Sequence, residues 1–333
     1  MGRYLVTGCA GFIASKVSEL LLGAGHEVVG IDNLNEAYDP RLKMWRLKQL
    51  EGRSCFRFHH VDIDEFGTLE RLFDEDAGTS SQAPYSAVIN LAARAGVRPS
   101  VRDPWVYERT NTAGTLNLLE LCRQHEIKKF VLASTSSLYG AHNPVPFSED
   151  ADTNRPLSPY AASKKGAEAM AYTYHHLHGL DVTVFRYFTV YGPAGRPDMS
   201  VFRFVRWISE GDTITVFGDG TQQRDFTFVD DIARGTIAGL KPLGYEVINL
   251  GGDRPVALHE IIAQIGQLTG RDPVIDYRAS HPADVPATWA NVNKAQQLLG
   301  WKSEVSVEEG LRRCVEWYEA NHSLATSLEL GER

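Results

Sequence analysis

The chain has 333 residues, a length that suits one large or two moderate domains. Its 43% hydrophobic and 23% charged residues exclude a disordered, collagenous or coiled-coil chain. No apolar run approaches the ~18 residues of a membrane span, and a formal net charge of −8 argues against bulk nucleic-acid binding.

The N-terminus, Met1 to Gly8, enters a strand at once and does not read as a signal peptide. Tyr4–Thr7 is the first β-rich run. Phe12–Leu22 follows with apolar residues at helical spacing. Further apolar runs come at Val28–Ile31, Phe56–Val61, Ala87–Ala92, Phe130–Ala133 and Val182–Phe185. Between them lie amphipathic stretches, the longest being Tyr160–Leu177. This alternation predicts an α/β fold, a parallel sheet covered by helices on both faces, and continuous apolar strands fit a sheet buried on both sides. From Gly192 the texture changes to Gly- and Pro-punctuated pieces, with short strands at Ile214–Phe217 and Val274–Tyr277 and helices at His259–Thr269 and Val307–Asn321. Val247–Leu250 reads as a return to the main sheet. The expected division is a first domain over 1–188 with a return segment about 225–252, and a smaller interleaved domain over 189–224 and 253–333. The polar tail after His322 is expected to fray. Cys9, Cys55, Cys122 and Cys314 form no CxxC pair and read as reduced cytosolic thiols. No metal site is expected.

Two stretches carry chemistry. Thr7-Gly8-Cys9-Ala10-Gly11-Phe12-Ile13-Ala14 sits directly after the first strand and opens the first helix. Gly8 would permit a tight turn, Gly11 a close backbone approach to a pyrophosphate, and the helix N-terminus offers free N–H groups to phosphates. Asp32, at the end of the second run, would accept hydrogen bonds from an adenosine ribose, and Asn33 and Leu34 after it supply no Arg, which favours NAD over NADP. Asp62 and Ile63 are candidates for the adenine end, and Leu91, Ala92 and Ala93 are small enough for a cofactor to lie against the backbone. The competing readings are a tight strand–helix turn without ligand and an Asp that merely caps a turn.

The second stretch is Ser158-Pro159-Tyr160-Ala161-Ala162-Ser163-Lys164. Ser followed by Pro is a good helix start, so Tyr160 and Lys164 project from one helix face. A phenol titrates near 10, and bringing it to about 7 takes roughly 4 kcal/mol. A cation about 4 Å away in a partly buried site supplies a comparable amount. Lys164, helped by a positive nicotinamide ring, could thus make Tyr160 a base toward a hydroxyl. The bland reading is a Tyr and a Lys that share a helix. Against it stands the buried run Phe130–Ala133, which ends in the hydroxyls of Ser134, Thr135, Ser136 and Ser137, where a parallel sheet faces its ligand crevice.

These residues together resemble the extended short-chain dehydrogenase/reductase family, the nucleotide-sugar epimerase and dehydratase group. TGCAGFI, the LAA strand end, Asn111 in TNTAGTLNLLE, STSSLYG, YAASK, RYF and GDGTQQRDF match in order over nearly the whole chain. The resemblance implies a Rossmann-like doubly wound sheet with a smaller α/β substrate domain, bound NAD touching Gly8, Gly11, Phe12, Ile13, Asn111, Tyr160 and Lys164, and a cytoplasmic homodimer paired through Thr110–Gln124 and Ala162–Leu177. Within the family, Asp32–Lys43, Ala95-Gly96-Val97-Arg98, Tyr187–Pro193 and Arg196-Pro197-Asp198-Met199 look most like the UDP-glucuronate 4-epimerase branch. That branch implies a UDP-sugar substrate inverted at C4, with Tyr160, Lys164 and Thr135 catalytic. Arg98, Ser136, Ser137, Thr189, Arg196, Arg224 and Asp284 are then expected to bind substrate. A second diphosphate arginine is missing near His281-Pro282-Ala283-Asp284, so His281 or Arg278 would replace it. The alternatives are a 4-epimerase of neutral UDP-hexoses and a UDP-glucuronate decarboxylase. Ser136-Ser137 stands where a dehydratase would carry Asp-Glu and a decarboxylase a Glu.

Overall fold

The computed structural model describes residues 1–78, 83–279 and 286–331. In chain order the strands are β1 (Arg3–Thr7), β2 (Glu27–Asp32), β3 (Phe56–His60), β4 (Ala87–Asn90), β5 (Lys129–Thr135), β6 (Asp181–Tyr187), β7 (Thr189–Tyr191), β8 (Ile214–Phe217), β9 (Gln223–Phe228), β10 (Tyr245–Leu250), β11 (Pro255–Ala257) and β12 (Ile275–Arg278). Seven of them form one parallel sheet in the order β10-β6-β5-β4-β1-β2-β3. The order runs outward from β1 in both directions, so the crevice beyond the carboxyl ends of β1 and β4 is a topological switch point.

The continuous apolar strands are buried because helices cover both faces. Every residue of β5 is buried, as are the last six of β6. On one face Val17 and Leu21 of the Phe12–Gly23 helix pack with Ile232 and Ala233 of the Val229–Ala238 helix. On the other, the helices Phe66–Ala77, Gly114–Gln124 and Pro159–His178 contribute Leu69, Phe73, Leu118, Cys122, Ala167 and Ala171. The four cysteines are free.

The smaller part holds a β11-β9-β7 sheet and a β12-β8 ribbon. The helices Ser200–Glu210, Leu258–Thr269 and Val307–Ala320 enclose its core around Phe204, Ile262 and Leu311. Between these pieces the chain re-enters the main sheet at β10, where Tyr245 to Leu250 pair with Val182 to Tyr187. Among the described residues no helix is long and apolar enough to cross a membrane.

The C-terminal segment differs from the fraying expected of it. His322–Ser327 is a helix, and Ala325 and Leu328 are buried. Backbone groups hold the rest: Arg206 donates to Leu328 O at 2.6 Å, Arg203 to Leu330 O at 2.6 Å, and Glu329 N to Asp39 Oδ2 at 2.9 Å. Arg41 adds a bond to Ser327 O at 2.6 Å, and its hydrogen bonds hold the Asp39 carboxyl down at about 2. Polar composition hid this because the segment is held through its main-chain groups, three carbonyls and the Glu329 N–H.

Candidate active site

The glycine loop joins β1 to the Phe12–Gly23 helix. Gly8 sits at φ +68, and a Cβ there would lie 2.8 Å from the Ala92 Cα, so only glycine fits against the loop after β4. That loop is tied down by Thr7, whose hydroxyl accepts from Leu91 N at 3.1 Å and Ala92 N at 3.0 Å. Gly11 N-caps the helix with no side-chain bond to the first turn, which leaves the Phe12 and Ile13 end of the helix dipole facing the crevice. A Cβ on Gly11 would meet the Gly8 carbonyl at 2.8 Å.

Asp32 ends β2 beside this loop. Its carboxylate accepts from Ala10 N at 3.2 Å and Leu34 N at 2.8 Å. Asn33 donates to Asp62, which brings two of the residues expected at the adenine end together. The side chain of Ile63 instead turns into the core against Gly114, and its carbonyl accepts from Asn117 at 2.9 Å. Lys43, from the Pro40–Leu50 helix, stands 3.7 Å from Asp32. This cation was not legible from the residues next to Asp32.

At the catalytic end Ser158 caps the Pro159–His178 helix, its hydroxyl accepting from Ala161 N at 3.2 Å. Tyr160 and Lys164 then face the ends of β5 and β6. Burial pushes the Tyr160 phenol above its ordinary value, while the nearby Thr135 hydroxyl and the charge of Arg196 act the other way. Lys164 is buried and donates to Ala133 O at 2.9 Å. Burial brings its ammonium down to about 8, with the Glu168 carboxylate opposing the fall. The bond to Ala133 O draws Lys164 to the β5 carbonyl.

The strand-end hydroxyls divide. Ser134 turns inward and donates to Glu168 at 2.6 Å, within a buried ion pair of Glu168 with Arg186 at 2.8 Å. Thr135 caps the turn that follows, accepting from Ser137 N at 3.1 Å and donating to the Ser137 hydroxyl at 3.2 Å. Asn111 lies in a π-helical turn, Glu108–Ala113. Its amide donates to Ser163 Oγ at 2.9 Å and Arg94 O at 3.0 Å and accepts from Arg94 N at 2.9 Å. Those bonds let Asn111 fix the Tyr160 helix to the loop after β4.

Phe12, Thr189 and Arg196 line one cavity. Arg196 makes a forked pair with Asp198 at 3.0 and 2.5 Å. Arg98 lies elsewhere, its guanidinium 4.8 Å from the centre of the Phe217 ring in β8. Arg224 of β9 donates to Gln223 O at 2.8 Å. Arg278 pairs with Asp276 at 2.9 Å, while Asp284 and His281 lie outside the described residues. The sequence reading missed Arg46, 3% exposed, which donates to Ala10 O at 3.2 Å and to Ala194 O at 3.0 and 2.7 Å. It fastens the glycine loop to the loop that carries Arg196. A buried arginine in an otherwise amphipathic helix was the one available signal.

A family profile described as GDP-mannose 4,6 dehydratase matches residues 5–314. The chain belongs to this nucleotide-sugar epimerase and dehydratase family. A UDP-glucuronate 4-epimerase of Thermodesulfobacterium geofontis is 56% identical over 99% of this chain and 100% of its own length. Among solved structures, UDP-glucuronic acid 4-epimerase from Bacillus cereus, in complex with UDP-glucuronic acid and NAD, is 36% identical. It superposes with a TM-score of 0.88 over 96% of this chain and 99% of that one. A UDP-glucose 4-epimerase from Thermotoga maritima, with UDP-glucose, is 31% identical with a TM-score of 0.87, over 96% of this chain and 99% of that one. As a member of this family the chain presents a cradle that fits a dinucleotide. Gly8 permits close backbone approach, the uncapped helix start faces the crevice, and the Asp32 carboxylate stands at the far end.

Proposed function

We propose that this chain is an NAD-dependent isomerase that inverts C4 of UDP-glucuronate to give UDP-galacturonate through a transient 4-keto sugar. The observation that carries the reading is a glycine loop too tight for any side chain at the switch-point crevice, with Tyr160 and Lys164 on the first turns of the helix that Lys164 ties to β5. The 56% identity to a UDP-glucuronate 4-epimerase supports it.

Bound NAD supplies the hydride acceptor and donor at C4. Tyr160 takes the C4 hydroxyl proton and gives it back after the sugar has turned over, with Thr135 bonded to the phenol oxygen in both half-reactions. Arg196 keeps a positive potential on that oxygen and lowers the cost of the phenolate. Lys164, fixed on Ala133 O, holds the cofactor's ribose end of the crevice together with the Tyr160 helix. Gly8, Gly11, Phe12 and Ile13 hold the pyrophosphate. Asp32, Asn33, Asp62 and the Ile63 backbone hold the adenosine, and Leu91 to Ala93 form the floor. Arg98, Arg224 and Asp284 are assigned to the UDP half.

A 4-keto uronate is a β-keto acid, and it loses CO₂ when the C5–C6 bond lines up with the ketone. Arg196 and Thr189, with Ser136 and Ser137, hold the carboxylate out of that alignment through charge-assisted bonds. Two copies pair through Thr110–Gln124 and Ala162–Leu177, where Tyr172 and Leu177 are exposed. The four free cysteines support a reducing, cytoplasmic setting.

The test is incubation of purified protein with UDP-glucuronate, without added NAD, followed by NMR of the sugar. UDP-galacturonate with no pentose is the expected product. UDP-xylose or a 4-keto pentose would mean decarboxylation wins. Turnover of UDP-glucose alone would overturn the uronate assignment.

A further inference from the structure

Tyr38 lies in the loop between β2 and the Pro40–Leu50 helix, and nothing above gives it a role. Three cations surround its ring: Lys43 Nζ at 5.3 Å, Arg46 Cζ at 5.5 Å and Arg196 Cζ at 5.4 Å from the centroid. Its hydroxyl accepts from Arg46 Nη1 at 2.7 Å. Arg46 in turn grips Ala194 O, where the backbone is held at φ +51, two residues before Arg196.

Burial lowers the Lys43 ammonium most, the Asp32 carboxylate opposes the fall, and the charges of Arg46, Arg94 and Arg196 add to it, so the cations crowd one another. An aromatic face among them offers a negative quadrupole without adding a counter-charge. Asp198 already pairs with Arg196, and a second carboxylate at the place of Tyr38 would neutralise it further against substrate; a phenol ring does not. The next residue, Asp39, is anchored from the other side by the C-terminal segment, through Glu329 N and through Arg41 to Ser327. The ring is thus fixed to two parts of the chain before any ligand arrives.

We infer that Tyr38 is a positioning residue that holds Arg196 ready for an anionic sugar, and so sets the preference for a uronate over a neutral hexose. The inference rests on the proposed function, because it takes Arg196 as the group that meets the carboxylate. Without the ring, Arg196 keeps Asp198 as its one side support and meets the carboxylate less often. The uridine and diphosphate contacts do not pass through Tyr38.

The test is calorimetric titration of the NAD-loaded protein with UDP-glucuronate and with UDP-glucose, for wild type, Tyr38→Phe and Tyr38→Leu. Tyr38→Leu is expected to lose about tenfold in affinity for UDP-glucuronate, the loss of ~1.4 kcal/mol that a desolvated cation–π contact can supply. Its affinity for UDP-glucose should change by less than about twofold. Tyr38→Phe keeps the ring and loses the bond from Arg46, so its loss should be intermediate, and it carries the test should Tyr38→Leu fail to fold. Equal losses for both sugars would show a general packing role and overturn the inference, as would an unchanged preference in both variants. Wild type that binds UDP-glucuronate no better than UDP-glucose would overturn the functional reading itself, and this inference with it.

Discussion

Tyr160→Phe is expected to lower turnover of UDP-glucuronate by about 10³-fold, within the range a positioned general base contributes. The ring volume is kept, and the cradle around Gly8 is untouched, so NAD content should match wild type. The sign of the pH effect follows from the phenol. Burial raises it, and only its deprotonated form accepts the C4 proton. Wild-type turnover should therefore rise with pH on the acid side as Tyr160 ionises, while the residual rate of Tyr160→Phe should lack that rise. Arg196 stays charged throughout and contributes no limb of its own. A Tyr160→Phe enzyme with the wild-type rate or the wild-type pH profile would place the base elsewhere.

Gly8→Ala is expected to strip the protein of NAD. At φ +68 any Cβ is strained, and here it would also press to 2.8 Å from the Ala92 Cα, a backbone atom that cannot swing away. Together these effects should cost about 3 kcal/mol of stability and open the loop that faces the pyrophosphate. Gly25 provides the contrast. It is exposed at φ +80 with nothing within 4 Å of an added Cβ. Gly25→Ala pays only the backbone strain, about 1 kcal/mol, and should keep its cofactor. Absorbance of the nucleotide released on denaturation reads both variants. Full NAD occupancy in Gly8→Ala would contradict the close approach assigned to this loop.

The fold was legible where one physical demand acted on neighbouring residues. Buried parallel strands must be continuously apolar, so Phe130–Ala133 and Val182–Phe185 announced β5 and β6. Ser158-Pro159 announced its helix because a cap and a fixed φ act locally. The sequence also pointed to Tyr160, Thr135 and Arg196, which the fold brings to one end of the sheet. What it could not convey were pairings across long separations. Arg46 and Ala194, Asp39 and Glu329, and Lys43 and Asp32 each depend on the fold to meet. The end point of Lys164 was hidden for the same reason. Helical spacing set its face, but the carbonyl of Ala133 on another element set where its ammonium ends.

The central claim is that the C4 hydrogen leaves the sugar and comes back inside one closed site. The most direct measurement is conversion of UDP-glucuronate carrying deuterium at C4, in ordinary water, with mass and NMR analysis of the product. UDP-galacturonate that keeps the deuterium at C4 is the predicted result, since Tyr160 exchanges only the hydroxyl proton. Product with solvent hydrogen at C4 would contradict transfer within the site and would require a different route to inversion.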